Sequence, residues 1–233
     1  YGTFVAEVGA STGIAHGFIV AGALTSKGQQ ERTLVKFNAK GNTLWQKTYP
    51  AAGNSSIRGL GLTSDGSIVA TGYVGSEQRE YQFISDDGQG FILKTDANGN
   101  LEWEKELTVA PHGMRVEEIT GGFAIGANVW VEEDGRDHQQ VCLILTDSQG
   151  NETFSGTYGG VNNDQVFDFA VTMDGGYIFA GHTRSYGVDN WDFLLLKVGA
   201  SWQEQWHKIF GQPRGYDAKY IHDECYGVKQ TLD

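Results

Sequence analysis

Four of the six histidines in this 233-residue chain, His112, His138, His182 and His222, fall in polar stretches between apolar runs, and only His16 and His207 do not. With them come Arg58, Arg79, Arg136, Arg184 and Arg214, together with Tyr81, Tyr186, Tyr216 and Trp191. An Arg or His that neutralises a carboxylate, beside a His or Tyr that abstracts a proton, is the equipment for β-elimination on a uronic-acid polysaccharide. His182, Arg184, Tyr186, His138, His112 and His222 are therefore the catalytic candidates, and Trp191, Tyr81, Tyr216 and Arg214 the ligand-binding ones. Connecting loops are polar by default, so the same residues also fit a solvated surface with no chemistry.

Acidic clusters raise a metal reading. Asp86 and Asp87 in SDDGQG, and Asp134 and Asp137 in VEEDGRDH, carry oxygen ligands suited to a structural calcium, but none has the spacing of an EF-hand loop. Asp189 and Asp192 in GVDNWD fit loop entry better than a metal, and turn capping by Asx side chains explains most of these residues. HDEC at 222–225 holds one His and one Cys, which is not a zinc motif. Cys142 and Cys225 sit in elements that should not touch, so two free thiols are expected. Asn54 in NSS and Asn151 in NET match the glycosylation acceptor pattern. No Gly-rich phosphate loop or Ser-His-Asp ordering occurs, because the glycines punctuate hairpins and never open a helix.

The elements that must position these residues repeat. LVKFNAKGNTLWQKTYP (34–50), ILKTDANGNLEWEKELT (92–108), LILTDSQGNETFSGTYG (143–159) and LLLKVGASWQEQWHKIFG (194–211) each place an aromatic, Trp45, Trp103, Phe154 or Trp206, nine residues after a fixed strand position. The fourth copy has drifted at its turn. Upstream lie HGFIVAG, DGSIVATG, TGGFAIG and DGGYIFAG, whose last glycines, Gly22, Gly72, Gly126 and Gly181, recur at spacings of 50, 54 and 55. Apolar runs FVAEV, LGLTS, VEEIT and FDFAVTM precede them. Each repeat reads as four short strands, a to d, with period-2 patterning and no helical period. The fold class expected is all-β, a β-propeller of four-stranded antiparallel blades at about 1–50, 51–108, 109–159 and 160–211. A sandwich has no reason to repeat its turns in register. The recurring aromatics are expected to pack between blades, not to form a sugar-binding ladder.

The chain resembles a family of bacterial and archaeal propeller repeats found in secreted or surface proteins, with DGGYIFAGHTRSYGVDNWDFLLLKV (174–198) the best copy. The resemblance implies the propeller and is nearly silent on function. The polar face is similar in kind to that of propeller-shaped ulvan lyases, although no motif of those enzymes matches residue by residue. AKYIHDECYGVKQTLD (218–233) aligns with the start of a blade, Asp233 on Asp174, so a fifth blade is expected to begin there and the remaining blades to lie on another chain or on residues beyond this sequence.

In a blade the a–b and c–d hairpins lie at one face, and the b–c loops and blade-to-blade connections at the other. The second set, 23–32, 73–90, 127–140 and 182–192 with 50–57, 108–114, 159–165 and 211–223, is the longer and more variable, and any site is expected there. Gly is 33 residues against 3 Pro, and the net charge of -12 opposes binding to nucleic acid or an anionic membrane surface. No apolar run is long enough to span a bilayer. The expected function is an extracytoplasmic binding or scaffold module with a glycan or protein ligand on the loop face. The alternative is a lyase acting on uronic-acid glycans from the same face.

Overall fold

The computed structural model describes residues 2–8, 17–77, 87–186, 190–211 and 223–232. Sixteen strands form four antiparallel four-stranded sheets, and no helix occurs among the described residues. The first sheet is β1(Gly2–Val8), β2(Gly17–Ser26), β3(Gln29–Asn38) and β4(Thr43–Thr48); the second is β5(Asn54–Leu62), β6(Ile68–Ser76), β7(Gln89–Thr95) and β8(Leu101–Glu106). The third is β9(His112–Ile119), β10(Gly122–Glu133), β11(Arg136–Asp147) and β12(Glu152–Tyr158); the fourth is β13(Asp164–Val171), β14(Tyr177–Thr183), β15(Asp192–Val198) and β16(Glu204–Phe210). Each sheet is a meander in which chain order is spatial order, so every strand pairs with its neighbours in sequence. The chain divides into two compact units, 1–125 with 145–153, and 126–144 with 154–233.

The turn sequences dictate the hairpins. In the third-to-fourth-strand turns, Asp96 accepts from the Asn98 and Asn100 amides and Asp147 from those of Gln149 and Asn151, which closes each turn through one carboxylate oxygen. The strand-four aromatic of one sheet then lies on the turn glycine of the next. A methyl group at Gly99 would come within 2.9 Å of the Trp45 ring, and one at Gly150 within 2.5 Å of Trp103. The drifted fourth copy exchanges the partners: Trp202 takes the glycine position with φ of 64° and stacks on the smaller Phe154, centroids 4.3 Å apart. Trp45, Trp103 and Phe154 thus pack sheet on sheet, whereas Trp206 is exposed. Tyr49 reinforces this by donating to the Gly99 carbonyl at 2.9 Å, and Tyr158 to that of Trp202 at 2.8 Å.

The first strand of a sheet also packs on the sheet before it. In the first unit β5 lies on β1, β2 and β3, and β9 on β5, β6 and β7. Glycines permit the approach: a Cβ at Gly59 would sit 2.5 Å from the Met114 carbonyl. In the second unit Asn128 of β10, 2% exposed, grips β13 at both ends of its amide, accepting from the Val166 N–H at 2.8 Å and donating to the Val166 carbonyl at 3.1 Å. The cores are aliphatic and aromatic residues from the inner positions, such as Ile19, Leu34, Ile57, Leu60, Phe91 and Leu93 in the first unit.

Two of the stretches expected as long loops are strands. At 23–32, β2 and β3 meet in a two-residue turn, Lys27–Gly28, with φ of 49° and 84°; at 127–140, β10 and β11 meet at Asp134–Gly135, with φ of 52° and 71°. Both are turns with two left-handed residues, whose twist matches that of the flanking strands and lets the hairpin run on. Several polar side chains there, Gln30, Arg32, Asn128, His138 and Gln139, are buried within the strands and do not stand in a loop.

Candidate functional site

In the second and fourth sheets the second strand carries a glycine, Gly72 or Gly181, where the first strand crosses it closely. A Cβ at Gly72 would sit 2.0 Å from the Ser56 carbonyl and one at Gly181 1.8 Å from that of Gln165. In both places the register slips, between Ile57 and Gly59 and between Val166 and Asp168. The next residue is Tyr73 in one sheet and His182 in the other, 109 positions on, and each is the hub of a cluster.

In the second unit His182 is 5% exposed. Its ring lies 3.9 Å from Trp191, tilted by 31°, and meets Phe167 edge-on at 4.8 Å. Its Nε2 bonds to Gln165 Oε1, and Gln165 Nε2 donates in turn to Gln139 Oε1. Gln165 thus bridges the imidazole of His182 and the carboxamide of Gln139. His182 Nδ1 is 3.5 Å from Glu224 Oε1. Arg184, exposed, holds its guanidinium 5.8 Å from the centroid of Trp191, which is half-buried. Phe167 also meets Tyr226, centroids 4.9 Å apart.

Three of the expected residues, His182, Arg184 and Trp191, are therefore adjacent. Tyr186 stacks instead on His207 at 4.0 Å, from a backbone with φ of 60°. Burial pushes its phenol well above the ordinary range, and the carboxylates of Asp164 and Glu204 push the same way. A tyrosine held so firmly protonated is a poor base. Asp164, fully buried, is tied up by Thr183 Oγ1, by Ser185 Oγ at 2.8 Å and by the Gly160 amide at 2.7 Å. Burial, the largest influence, raises its carboxyl above the usual carboxylate range, while those hydrogen bonds oppose it.

His112 and His138 were expected in connections and lie in strands. His138 is in β11, 5% exposed, 3.3 Å from Gln140 Nε2 and 3.9 Å from the Glu133 carboxylate. His112 opens β9 in the first unit and is fully buried. It stacks on Tyr73 at 4.7 Å and 20°, with Nε2 3.4 Å from the Asp87 carbonyl oxygen, while Arg58 lies 5.7 Å over the Tyr73 ring. Burial first, then the Arg58 charge, lower its pKa to about 4, so the imidazole is neutral at pH 7. His182 too is in a strand, β14. His112 and His138 lie near the start of their strands and His182 near the end of its own, beside the core run and not in a loop.

The acidic candidates have turn and surface roles. Asp87 accepts from Ser76 Oγ at 2.8 Å and from the Glu77 amide at 2.6 Å, Asp134 forms the β10–β11 turn, and Asp137 is exposed on β11. Among the described residues no group of three or more His, Cys, Asp or Glu side chains could hold a metal ion. Cys142 and Cys225 are free thiols. Asn54 uses its carboxamide oxygen to accept from the Gln30 amide at 3.0 Å, and Asn151 donates to Asp147. His222, Tyr81, Tyr216, Arg214 and Asp86 lie outside the described residues.

The shared end of the sheets is visible in a repeated clamp. Asn54 Oδ1 accepts from Gln30 N at 3.0 Å in the first unit, and Asn163 Oδ1 from Gln139 N at 3.0 Å in the second. In each, the residue opening one sheet binds the start of the third strand of the sheet before it. Sheet-to-sheet connections and second-to-third-strand hairpins thus meet at one end within each unit. Phe167, Glu224 and Tyr226 went unforeseen at the site.

No family model matches the chain. It is 24% identical over 180 residues, 66% of its length, to the regulatory protein FlaEY of Caulobacter vibrioides, and spans 18% of that protein. Among solved structures, cobalt-substituted Synechocystis ACO aligns with 88% of this chain at a TM-score of 0.51 and 14% identity, over 49% of its own length. At that identity the likeness is one of fold. The chain spans less than a fifth of the curated relative and about half of the solved structure. No helix among the described residues is long and apolar enough to cross a membrane.

Proposed function

We propose that the four sheets are successive blades of a β-propeller and that the chain serves as an extracytoplasmic binding module. Its ligand lies against the loop end of the fourth sheet, at Trp191 and Arg184. The observation that carries this reading is the adjacency of an aromatic ring, an exposed guanidinium and a buried imidazole that fixes the ring in place. An indole edge beside a cation suits a sugar ring bearing a carboxylate or another anionic group. The sheet-on-sheet packing of Trp45, Trp103 and Phe154 and the repeated Asn clamps support successive stacking of sheets within each unit. The match to part of a much longer regulatory protein supports a module.

A lyase is the second reading, favoured by His182 and Arg184 both lying against the Trp191 ring. It asks His182 Nδ1 to take a proton while Glu224 steadies the resulting cation. The test is a panel of acidic and neutral oligosaccharides presented to the chain and to its Trp191→Ala and Arg184→Ala variants. Binding of an acidic glycan that each variant weakens by about tenfold, roughly 1.4 kcal/mol, supports the module. Formation of an unsaturated product, abolished by His182→Gln, supports the lyase. Equal binding by all three proteins removes this site from consideration.

A further inference from the structure

Residues 223–232 join none of the four sheets, yet they dock on the fourth sheet as β9 docks on the second. On the second sheet, the Ser64 amide in the first hairpin turn donates to Glu118 Oε2 of β9 at 2.7 Å. On the fourth, the Met173 amide, 109 residues later in the same turn, donates to Gln230 Oε1 at 2.8 Å. Glu118 and Gln230 are 112 residues apart, and that offset pairs the other contacts. Gly59 faces the Met114–Arg115 backbone; its counterpart Asp168 accepts from the Val228 amide at 2.9 Å and lies beside Gly227. Tyr73 stacks on His112; its counterpart His182 faces Glu224. Cys225 donates its amide to the carbonyl of Gly181, the glycine that ends the core run of β14.

The two segments differ in what covers them. Met114 is 6% exposed and Val116 0% in β9, which pairs with β10, whereas the corresponding Tyr226 is 55% exposed and Val228 is half-buried. Leu232 is 95% exposed. A strand whose first packing layer is formed and whose second is open, in a fold built from strand meanders, has the form of a sheet edge awaiting its neighbour.

We propose that residues 223–232 are the first strand of a further four-stranded sheet, and that their edge accepts an antiparallel strand of the pattern shared by 65–72 and 174–181. That pattern is an Asp-Gly turn followed by an unbroken buried run, ending in the glycine that a crossing first strand requires. The occupant is thus a repeat of this chain's own type. A peptide with a side chain at that glycine position would meet the carbonyl of the crossing first strand. This inference stands on the docking and exposure of 223–232 and on the repeat pattern, and does not require that a ligand bind at Trp191 and Arg184.

The test appends a copy of residues 175–211 directly after Asp233, where the aligned Asp174 is followed by the same sequence in the fourth sheet. Hydrogen exchange then reads the amides of 223–232. A completed sheet slows their exchange by at least about a hundredfold and protects the appended strands to a similar degree. The same extension carrying valine at the copied Gly181 position is expected to lose that protection. A second measurement adds a synthetic peptide of the 174–185 sequence to the unextended chain, with a scrambled peptide as control. Protection of 223–232 by the peptide alone also supports the assignment. Unchanged exchange in both the extended chain and the peptide mixture overturns it, as does equal protection by the scrambled or valine-bearing forms.

Discussion

Replacing His112 by Phe separates titration from packing at the buried hub of the first unit. Phe keeps a flat ring against Tyr73, 4.7 Å away, and removes the ionisable nitrogen atoms. In the folded chain the imidazole pKa is lowered from 6.5 to about 4, so above pH 6.5 it is neutral folded or unfolded and contributes nothing to pH dependence. As pH falls below 6.5 the unfolded chain gains a proton that the folded chain refuses, and stability drops until the pH approaches 4. A shift of about 2.5 units at 1.36 kcal/mol per unit sets a limit of about 3 kcal/mol, of which about 2.5 is reached by pH 4.5. Carboxylates elsewhere titrate in the same window, so the quantity to measure is the difference between parent and variant. Urea unfolding from about pH 7.5 to pH 4.5 is expected to show the variant gaining on the parent by about 2 to 3 kcal/mol as acid is added. Parallel stability curves across that range would refute the reading of His112 as a neutral, buried imidazole.

Other perturbations test the packing and the fold. Asn128→Ala leaves the buried N–H and C=O of Val166 without their partner and is expected to cost about 2 to 4 kcal/mol, read as a fall in denaturation midpoint at constant slope. Glu104→Gln strips the carboxylate that meets Arg32 at 2.7 and 3.0 Å; with Arg32 only 3% exposed, a loss of about 2 to 4 kcal/mol by thermal or chemical unfolding is expected, reduced from the fully buried case because Glu104 is 30% exposed. Gly126→Ala drives a methyl to within 2.8 Å of Phe169 Cβ and is expected to destabilise by about 1 to 3 kcal/mol on the same assay. Trp202→Gly restores the turn residue of the other copies but deletes the Phe154 stack, so the strain of about 1 kcal/mol that it relieves is outweighed by the lost aromatic burial, and a lower melting temperature is expected.

The repeat, the four strands per repeat and the packing role of Trp45, Trp103 and Phe154 were legible because each rests on short-range rules. Period-2 patterning makes strands, Asx–Gly sequences make turns, and one register repeated four times fixes which residues recur together. Lys27–Gly28 and Asp134–Gly135 could have been read as two-residue hairpins from the same rules. Treating every polar stretch as a loop hid β2–β3 and β10–β11 and moved His112, His138 and His182 out of the strands they occupy. The site itself was legible only in part. His182, Arg184 and Trp191 are close in sequence and meet in the structure, whereas Tyr186, two residues from Arg184, turns through a left-handed backbone to stack on His207.

What the sequence determined by itself is the local code: strand, turn, and the glycine at the end of each second strand. Tertiary structure alone decided which side chains meet across sheets. Glu224 reaches His182 from 42 residues away, and Gln139 reaches Gln165 from the preceding sheet. Such meetings depend on the register slip at Val166–Asp168 and on how closely one sheet lies on the next, and both are set by the packing of many residues together. The protonation of His112 belongs to the same class. Its sequence neighbours are ordinary, and only full burial against Tyr73 and proximity to Arg58, 54 residues away, lower its pKa.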